Sequence, residues 1–157
     1  MHIAIACDEA AFDLKEILLR HLHAQGRHVS DCGVFDRQPA LYADIAIPIA
    51  EQIIAGRYSH AVLLCGTGIG MAIAANKVTG IRAAQCHDTY SAERAKRSND
   101  AQIITLGARV VGPELAKRIV DTWLEARFDG GASQPKLDRI RQYEQASPRR
   151  DGGDEPN

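Results

Sequence analysis

The chain has 157 residues, 45% of them hydrophobic, so it is long enough for one hydrophobic core and too short to suggest two domains. Its formal net charge of -1 would not attract nucleic acid or an anionic membrane, and no apolar run approaches the roughly 20 residues of a bilayer span. The N-terminus lacks a secretory signal, so we expect a cytoplasmic protein with four reduced cysteines.

Short apolar runs alternate with segments of helical spacing along the whole chain. In chain order, strands are predicted at 2–6, 28–30, 61–64, 81–84 and 103–106, with helices at 14–22, 42–55, 68–77, 89–97 and 113–123. Strict alternation predicts an α/β fold, a three-layer αβα sandwich around a Rossmann-like five-stranded parallel sheet. Its crossover connections are expected to be right-handed.

A further helix is predicted at 134–145, after the sheet is complete. Such an appended C-terminal helix either packs on its own domain or reaches a partner subunit, and the residues leave both open. We therefore assign residues 1–146 to a single domain. Residues 147–157, rich in Pro, Gly, Arg and Asp, are predicted to be a disordered tail.

All four cysteines lie near predicted strand ends, where open parallel sheets bind ligands. A thiol is often only a small buried hydrophobe, and we favour that interpretation for Cys7, Cys32 and Cys86. Cys65 differs because it opens the run Cys-Gly-Thr-Gly-Ile-Gly directly between a buried strand and a helix. There the thiol lies beside several backbone amides, which favour a thiolate.

The glycines of this run, Gly66, Gly68 and Gly70, let the backbone approach a ligand closely, and its amides can stabilise a phosphate or an enediolate oxygen. Three better-known loops fit poorly. Gly70 is not followed by Lys-Ser/Thr as in a phosphate loop, and the third glycine comes one place early for a dinucleotide loop. Met71 stands where a cysteine phosphatase has arginine.

Other polar residues follow predicted strands. Asp8 either binds sugar hydroxyls or caps the next helix, while Arg109 either clamps a phosphate or forms a surface ion pair. His21 and His23 are two residues apart on a helix and do not share a face. We predict no metal site.

Residues 65–77, with Gly80-Ile81-Arg82-Ala83 after them, resemble the ribose-5-phosphate isomerase B family, which includes galactose-6-phosphate isomerase subunits. Matching segments follow in the same order at 7–8, 90–92, 98–100 and 106–112. The resemblance implies a sugar-phosphate isomerase without metal or cofactor. It also implies a homodimer, with a tetramer left open, whose active sites lie between subunits.

By this resemblance, Cys65 is the base that moves a proton between C1 and C2, while Thr67 and the amides of residues 66–70 stabilise a cis-enediolate. This agrees with the large catalytic effect of stabilising a developing oxyanion. The remaining positions that match substrate or phosphate contacts of the family are Asp8, Glu9, Tyr42, Ser98, Asn99, Arg109 and Lys136.

Several positions depart from the family. Glu9 replaces the histidine of Cys-Asp-His, and Ser98 stands where many members carry the histidine that opens the furanose ring. Serine cannot shuttle protons as an imidazole does near pH 7. Ala132 and Lys136 occupy the two C-terminal arginine positions, leaving Arg109 and Lys136 as the predicted phosphate contacts, with Arg139 or Arg141 as a further candidate.

A four-carbon aldose 4-phosphate cannot form a furanose because its 4-oxygen is esterified. Residues 86–94 also resemble the subgroup linked to erythritol and tetritol breakdown. The hypothesis is therefore isomerisation of D-erythrulose 4-phosphate and D-erythrose 4-phosphate, with ribose 5-phosphate as the conservative alternative. His87 could instead take over the proton shuttle. A weakly catalytic subunit that binds or senses a phosphosugar is the alternative from another class.

Overall fold

The computed structural model describes residues 1–146, so the tail predicted at 147–157 lies outside the described residues. Strands and helices alternate as the sequence predicts. The strands are β1 (His2–Cys7), β2 (His28–Asp31), β3 (His60–Cys65), β4 (Ala83–Gln85) and β5 (Ile103–Gly107). The helices are α1 (Phe12–Ala24), α2 (Tyr42–Ile54), α3 (Ile69–Ala75), α4 (Thr89–Arg97), α5 (Pro113–Glu125) and α6 (Gln134–Ala146), with short 3-10 turns at Glu9–Ala11 and Gly131–Ser133.

All neighbouring strands are parallel, in the order β2-β1-β3-β5-β4. The chain leaves β1 toward β2 on one side and returns to β3 on the other, so the strand order reverses at β1 and β3. Ligands of open parallel sheets bind at such a reversal, beyond the carboxyl ends of the strands.

Two hydrophobic clusters cover the two faces of the sheet. Successive side chains of a strand point to opposite faces, so Ile3 and Ile5 of β1 pack with α1, α4 and α5, while Ala4 and Ala6 pack with α2 and α3. This arrangement confirms the predicted three-layer sandwich.

The fourth strand begins later than predicted. Its start was expected at Ile81, but the N–H of Ile81 donates to Val78 O and closes a turn after α3. The N–H of Arg82 donates to the Gln102 side chain, so pairing with β5 begins only at Ala83. The apolar run alone did not show that Ile81 closes a turn and that Arg82 also lies outside the strand.

The appended helix α6 packs on its own subunit, and its contact with a partner subunit stays a prediction. Leu137 is buried, and Glu144 Oε1 accepts a hydrogen bond of 3.1 Å from the N–H of Gly80. None of the helices within residues 1–146 has the length and apolarity to cross a membrane.

Candidate active site

The ends of β1, β3 and β5 bring three predicted site segments together. Cys7 pairs with Leu64, and the N–H of Asp8 extends the ladder by donating to Leu64 O at 3.1 Å. On the other side of β3, Cys65 pairs with Gly107. The segments that begin at Asp8, Cys65 and Gly107 therefore share one edge of the sheet, at the reversal of strand order.

Cys65 is held inside the glycine loop. Its residue is only 5% exposed, and its Sγ accepts a hydrogen bond from the N–H of Gly68 at 3.0 Å. Gly68 has φ +78, which favours glycine, and a Cβ there would lie 3.0–3.2 Å from the backbone of Leu106. The Thr105 hydroxyl donates to Gly68 O at 2.8 Å, so β5 fixes the turn that positions the sulfur.

The other glycines of the loop mark close packing. A Cβ at Gly70 would lie 2.8–2.9 Å from Cε1, Cζ and Cε2 of Tyr42, so the hydroxyl-bearing end of that ring lies against the loop. A Cβ at Gly66 would lie 3.2 Å from Nη1 of Arg109. The structure thus brings Tyr42 and Arg109 to the loop, as the sequence predicts.

The loop also retains hydrogen-bond donors for a ligand. No residue from 1 to 146 accepts a hydrogen bond from the N–H of Gly66 or of Thr67. The Thr67 hydroxyl accepts from the N–H of Ile69 at 3.3 Å, which leaves its own proton free for donation. Two backbone donors and one hydroxyl donor therefore lie within two residues of the Cys65 sulfur.

Asp8 and Glu9 place two carboxylates beside this loop. Burial raises the pKa of Asp8, with a further contribution from the charge of Glu9, although Oδ1 of Asp8 accepts a hydrogen bond from Ala10. The N–H of Ala40 donates to Glu9 Oε2 at 3.0 Å and lowers the pKa of Glu9. The positive charge of Arg109 partly offsets the raised pKa of Asp8 and further lowers the pKa of Glu9.

Three predicted residues lie elsewhere in the subunit. Ser98 and Asn99 precede β5, whereas Cys65 pairs with the last residue of that strand, and five residues of strand span about 13 Å. The Ser98 hydroxyl accepts a hydrogen bond from Arg94. Lys136 is exposed in the first turn of α6, and its neighbour Leu137 lines the same cavity of about 350 Å³ as Asn99.

His87 lies with the loop rather than with Ser98. Its Nε2 accepts a hydrogen bond of 3.1 Å from the N–H of Gly107, so that nitrogen carries no proton in this arrangement. Gln85 donates to Thr67 O at 2.7 Å. Sequence reasoning missed the supporting roles of Gln85, Thr105 and Gly107, although Gln85 and Gly107 are the last residues of their strands.

The other three cysteines behave as small, largely buried side chains without a catalytic role, as the sequence predicts. Burial raises the pKa of Cys7 and of Cys86 to about 12, which makes both thiols inert near neutral pH. Cys32 is partly buried and donates to the Tyr58 hydroxyl at 3.5 Å. Within residues 1–146, no group of three or more His, Cys, Asp or Glu side chains could hold a metal ion.

Comparison with known proteins shows the family to which the chain belongs. The family model described as Ribose/Galactose Isomerase matches residues 3–140. The chain belongs to the ribose/galactose isomerase family. The matched range spans Asp8, the glycine loop, Arg109 and the first turns of α6.

Similar members of the ribose/galactose isomerase family carry two kinds of name. A D-erythrulose-4-phosphate isomerase of Pectobacterium atrosepticum is 53% identical over 92% of this chain and 95% of its own. A ribose-5-P isomerase B of Listeria innocua is 50% identical over 92% of this chain and 98% of its own. The structure of Clostridium thermocellum ribose-5-phosphate isomerase B matches with a TM-score of 0.91 at 40% identity, covering 93% of this chain and 99% of that one.

Proposed function

We propose that the protein interconverts D-erythrose 4-phosphate and D-erythrulose 4-phosphate through a cis-enediolate, with Cys65 as the base. Aldose-ketose isomerisation of a sugar phosphate is supported by the family and by its named relatives. One observation carries the assignment to this site: the buried Cys65 sulfur lies in a loop whose Gly66 and Thr67 amides have no partner within the described chain. No observation favours a sensing subunit.

Each step of the reaction uses groups at the carboxyl edge of the sheet. The Cys65 thiolate takes the proton from C2 of the aldose, the C1–C2 double bond forms, and the carbonyl electron pair moves onto O1. The amides of Gly66 and Thr67 and the Thr67 hydroxyl stabilise this oxyanion. Cys65 then returns its proton to C1, O1 takes up a proton, and loss of the O2 proton leaves the ketose carbonyl at C2.

Ser98 supports a tetrose as the substrate. Its hydroxyl already accepts a hydrogen bond from the Arg94 guanidinium, and a serine is a poor proton shuttle near pH 7. His87 does not act as the proton shuttle in the proposed arrangement, because its Nε2 accepts a hydrogen bond from the N–H of Gly107. A four-carbon 4-phosphate needs no ring opening. Ribose 5-phosphate is the competing substrate because a ribose-5-P isomerase B is 50% identical.

A homodimer with shared active sites is part of the proposal. Ser98, Asn99 and Lys136 lie at the far end of β5 from Cys65, so one subunit does not bring all predicted residues to one ligand. Around the loop, the exposed apolar side chains of Ile69 and Ile73 offer a surface for a second copy. Each site would then combine Cys65 of one subunit with Asn99 and Lys136 of the other.

The phosphate of the substrate is assigned to two cations. Arg109 lies beside Gly66 and contributes a planar fork suited to bidentate phosphate binding. Lys136 of the second copy supplies a point charge. A cytoplasmic location and the absence of a metal stay predictions.

Substrate preference tests the proposed reaction directly. Purified protein is assayed with D-erythrose 4-phosphate, ribose 5-phosphate and allose 6-phosphate, and kcat/KM is compared. We expect kcat/KM for D-erythrose 4-phosphate to exceed kcat/KM for ribose 5-phosphate by at least about tenfold, since the tetrose phosphate needs no ring opening. Because the proton held by Cys65 can exchange with solvent before it is returned, deuterium from heavy water should appear at C1 of the ketose product. A preference for the pentose would refute the tetrose assignment.

Mixing two defective variants tests the shared site. Cys65→Ala and Asn99→Ala each impair both sites of their own homodimer. After subunit exchange, half of the dimers are mixed and hold one intact site each, so activity should recover to about 25% of the wild-type value. Mixtures no more active than either variant alone, with exchange confirmed by mass spectrometry, would place both residues in the same subunit's site.

A further inference from the structure

We propose that Glu9 is a positioning residue, whose carboxylate fixes the end of the β2–α2 loop (residues 32–41) and thereby seats Tyr42 against the glycine loop. Glu9 Oε2 accepts a hydrogen bond of 3.0 Å from the N–H of Ala40, a residue 31 positions away in the chain. Only Leu41 separates Ala40 from Tyr42. The catalytic consequence rests on the proposed function, whereas the structural role does not.

The start of the β2–α2 loop is well anchored without Glu9. Gly33 O accepts from the N–H of Cys7 at 2.7 Å, and the N–H of Val34 donates to Cys7 O at 2.8 Å. The fully buried Lys15 adds a hydrogen bond of 3.0 Å to Val34 O. These contacts fix the first three residues of the loop to β1 and α1.

The end of the loop has fewer anchors. Arg37 pairs with Asp13, but both side chains are more than 60% exposed, and such a pair contributes little. Leu41, the residue before α2, makes no side-chain capping hydrogen bond. The charge-assisted bond from Ala40 to Glu9 is therefore the strongest fixed point near the first residue of α2.

Tyr42 is the first residue of α2, so the position of its ring depends on where that helix begins. The ring is half-exposed, and its hydroxyl-bearing end lies against Gly70. If Ala40 is released, the start of α2 can shift and the ring can leave the loop. Glu9 thus acts on the site through Ala40 and Tyr42.

Two conservative variants of Glu9 separate the effect of side-chain length from the effect of its negative charge. Glu9→Asp keeps the charge but shortens the side chain by one methylene, so its carboxylate no longer reaches Ala40. Glu9→Gln loses the charge but keeps an oxygen acceptor at the same distance. A positioning role predicts the larger defect for Glu9→Asp, and a direct electrostatic effect on the substrate predicts the larger defect for Glu9→Gln.

Amide exchange of Ala40 by NMR measures the anchor without any substrate. We expect exchange to accelerate at least about tenfold in Glu9→Asp and several-fold less in Glu9→Gln, with β1 amides unchanged. Unchanged Ala40 exchange in Glu9→Asp would overturn the proposal. Because this measurement needs no activity, its result stands even if no sugar phosphate is turned over.

Kinetics then test whether Glu9 acts through Tyr42. In Glu9→Asp, kcat/KM for the tetrose phosphate should fall about tenfold, with a smaller loss in Glu9→Gln. In a Tyr42→Ala background, Glu9→Asp should add less than about a twofold loss, because residues acting through one another are not additive. Additive losses, or a defect as large in Glu9→Gln as in Glu9→Asp, would contradict the positioning role.

Discussion

Replacing Gly70 with alanine should separate activity from stability. The new Cβ would lie 2.8 Å from the Tyr42 ring, and ordinary contact requires about 3.5 Å, so the ring must move by about 0.7 Å. Tyr42 is half-exposed and can swing outward, and alanine favours a helix over glycine by about 1 kcal/mol. The free energy of unfolding should therefore change by less than about 1 kcal/mol.

The activity should change much more. A displacement of about 1 Å in a site can lower the rate a hundredfold, so we expect kcat/KM of Gly70→Ala to fall between about 10- and 100-fold. Gly112→Ala is the matched control, because nothing lies within 4 Å of its new Cβ. Denaturant unfolding and steady-state kinetics on both variants are the assays. Wild-type kcat/KM for Gly70→Ala, or a loss of stability that explains the activity, would refute this reasoning.

Three further predictions concern stability. Gly107→Ala should lower the melting temperature by several degrees, because its Cβ would lie 2.7 Å from the Thr67 backbone; an unchanged value in a thermal melt would contradict this packing. Lys15→Met should cost about 3 kcal/mol in denaturant unfolding, since it leaves the Asp31 carboxylate without its 2.6 Å partner. Burial lowers the pKa of His60 to about 4 from 6.5. As the pH falls, His60 therefore takes up a proton in the unfolded state before it does so in the folded state. The free energy of unfolding decreases as the pH is lowered from about 6.5 to about 4. His60→Gln should flatten this decline in pH-dependent melts, and an equally steep decline would exclude His60 as its source.

The repeating pattern of the sequence predicted the fold because strands buried on both faces and amphipathic helices leave clear local signals. Within residues 1–146, the structure confirms the five predicted strands and six predicted helices, with boundaries shifted where turns intervene. Ile81 illustrates the limit, since an apolar residue in a turn looks the same in sequence as one in a strand. The hydrogen bond from its N–H to Val78 O and the start of strand pairing at Ala83 distinguish them.

The site was predicted less completely. The motif beginning at Cys65 is local, so its residues are contiguous in sequence. Support from Thr105 and from Gly107 depends on the register between β3 and β5, which the sequence does not contain. The separation of Asn99 from Cys65 depends on the pairing of β3 with β5, which no local sequence pattern shows.

Glu9 shows a different limit. As a departure from the family pattern it drew attention to substrate binding, and that role stays a prediction. Its hydrogen bond to Ala40 joins segments 31 residues apart, a contact that no local pattern indicates. Long-range anchors of this kind depend on the path of a loop, and loops carry the weakest sequence signals.

Turnover by Cys65 variants tests the central claim most directly. Cys65→Ala removes the proposed base while the sulfur's only donor within the described chain, the N–H of Gly68, remains in a turn fixed by Thr105. We predict that kcat for D-erythrose 4-phosphate falls at least about a thousandfold, as expected for loss of the proton-transfer group, with substrate Kd changed less than about threefold. A Cys65→Ala variant that keeps a tenth or more of the wild-type kcat would contradict the account.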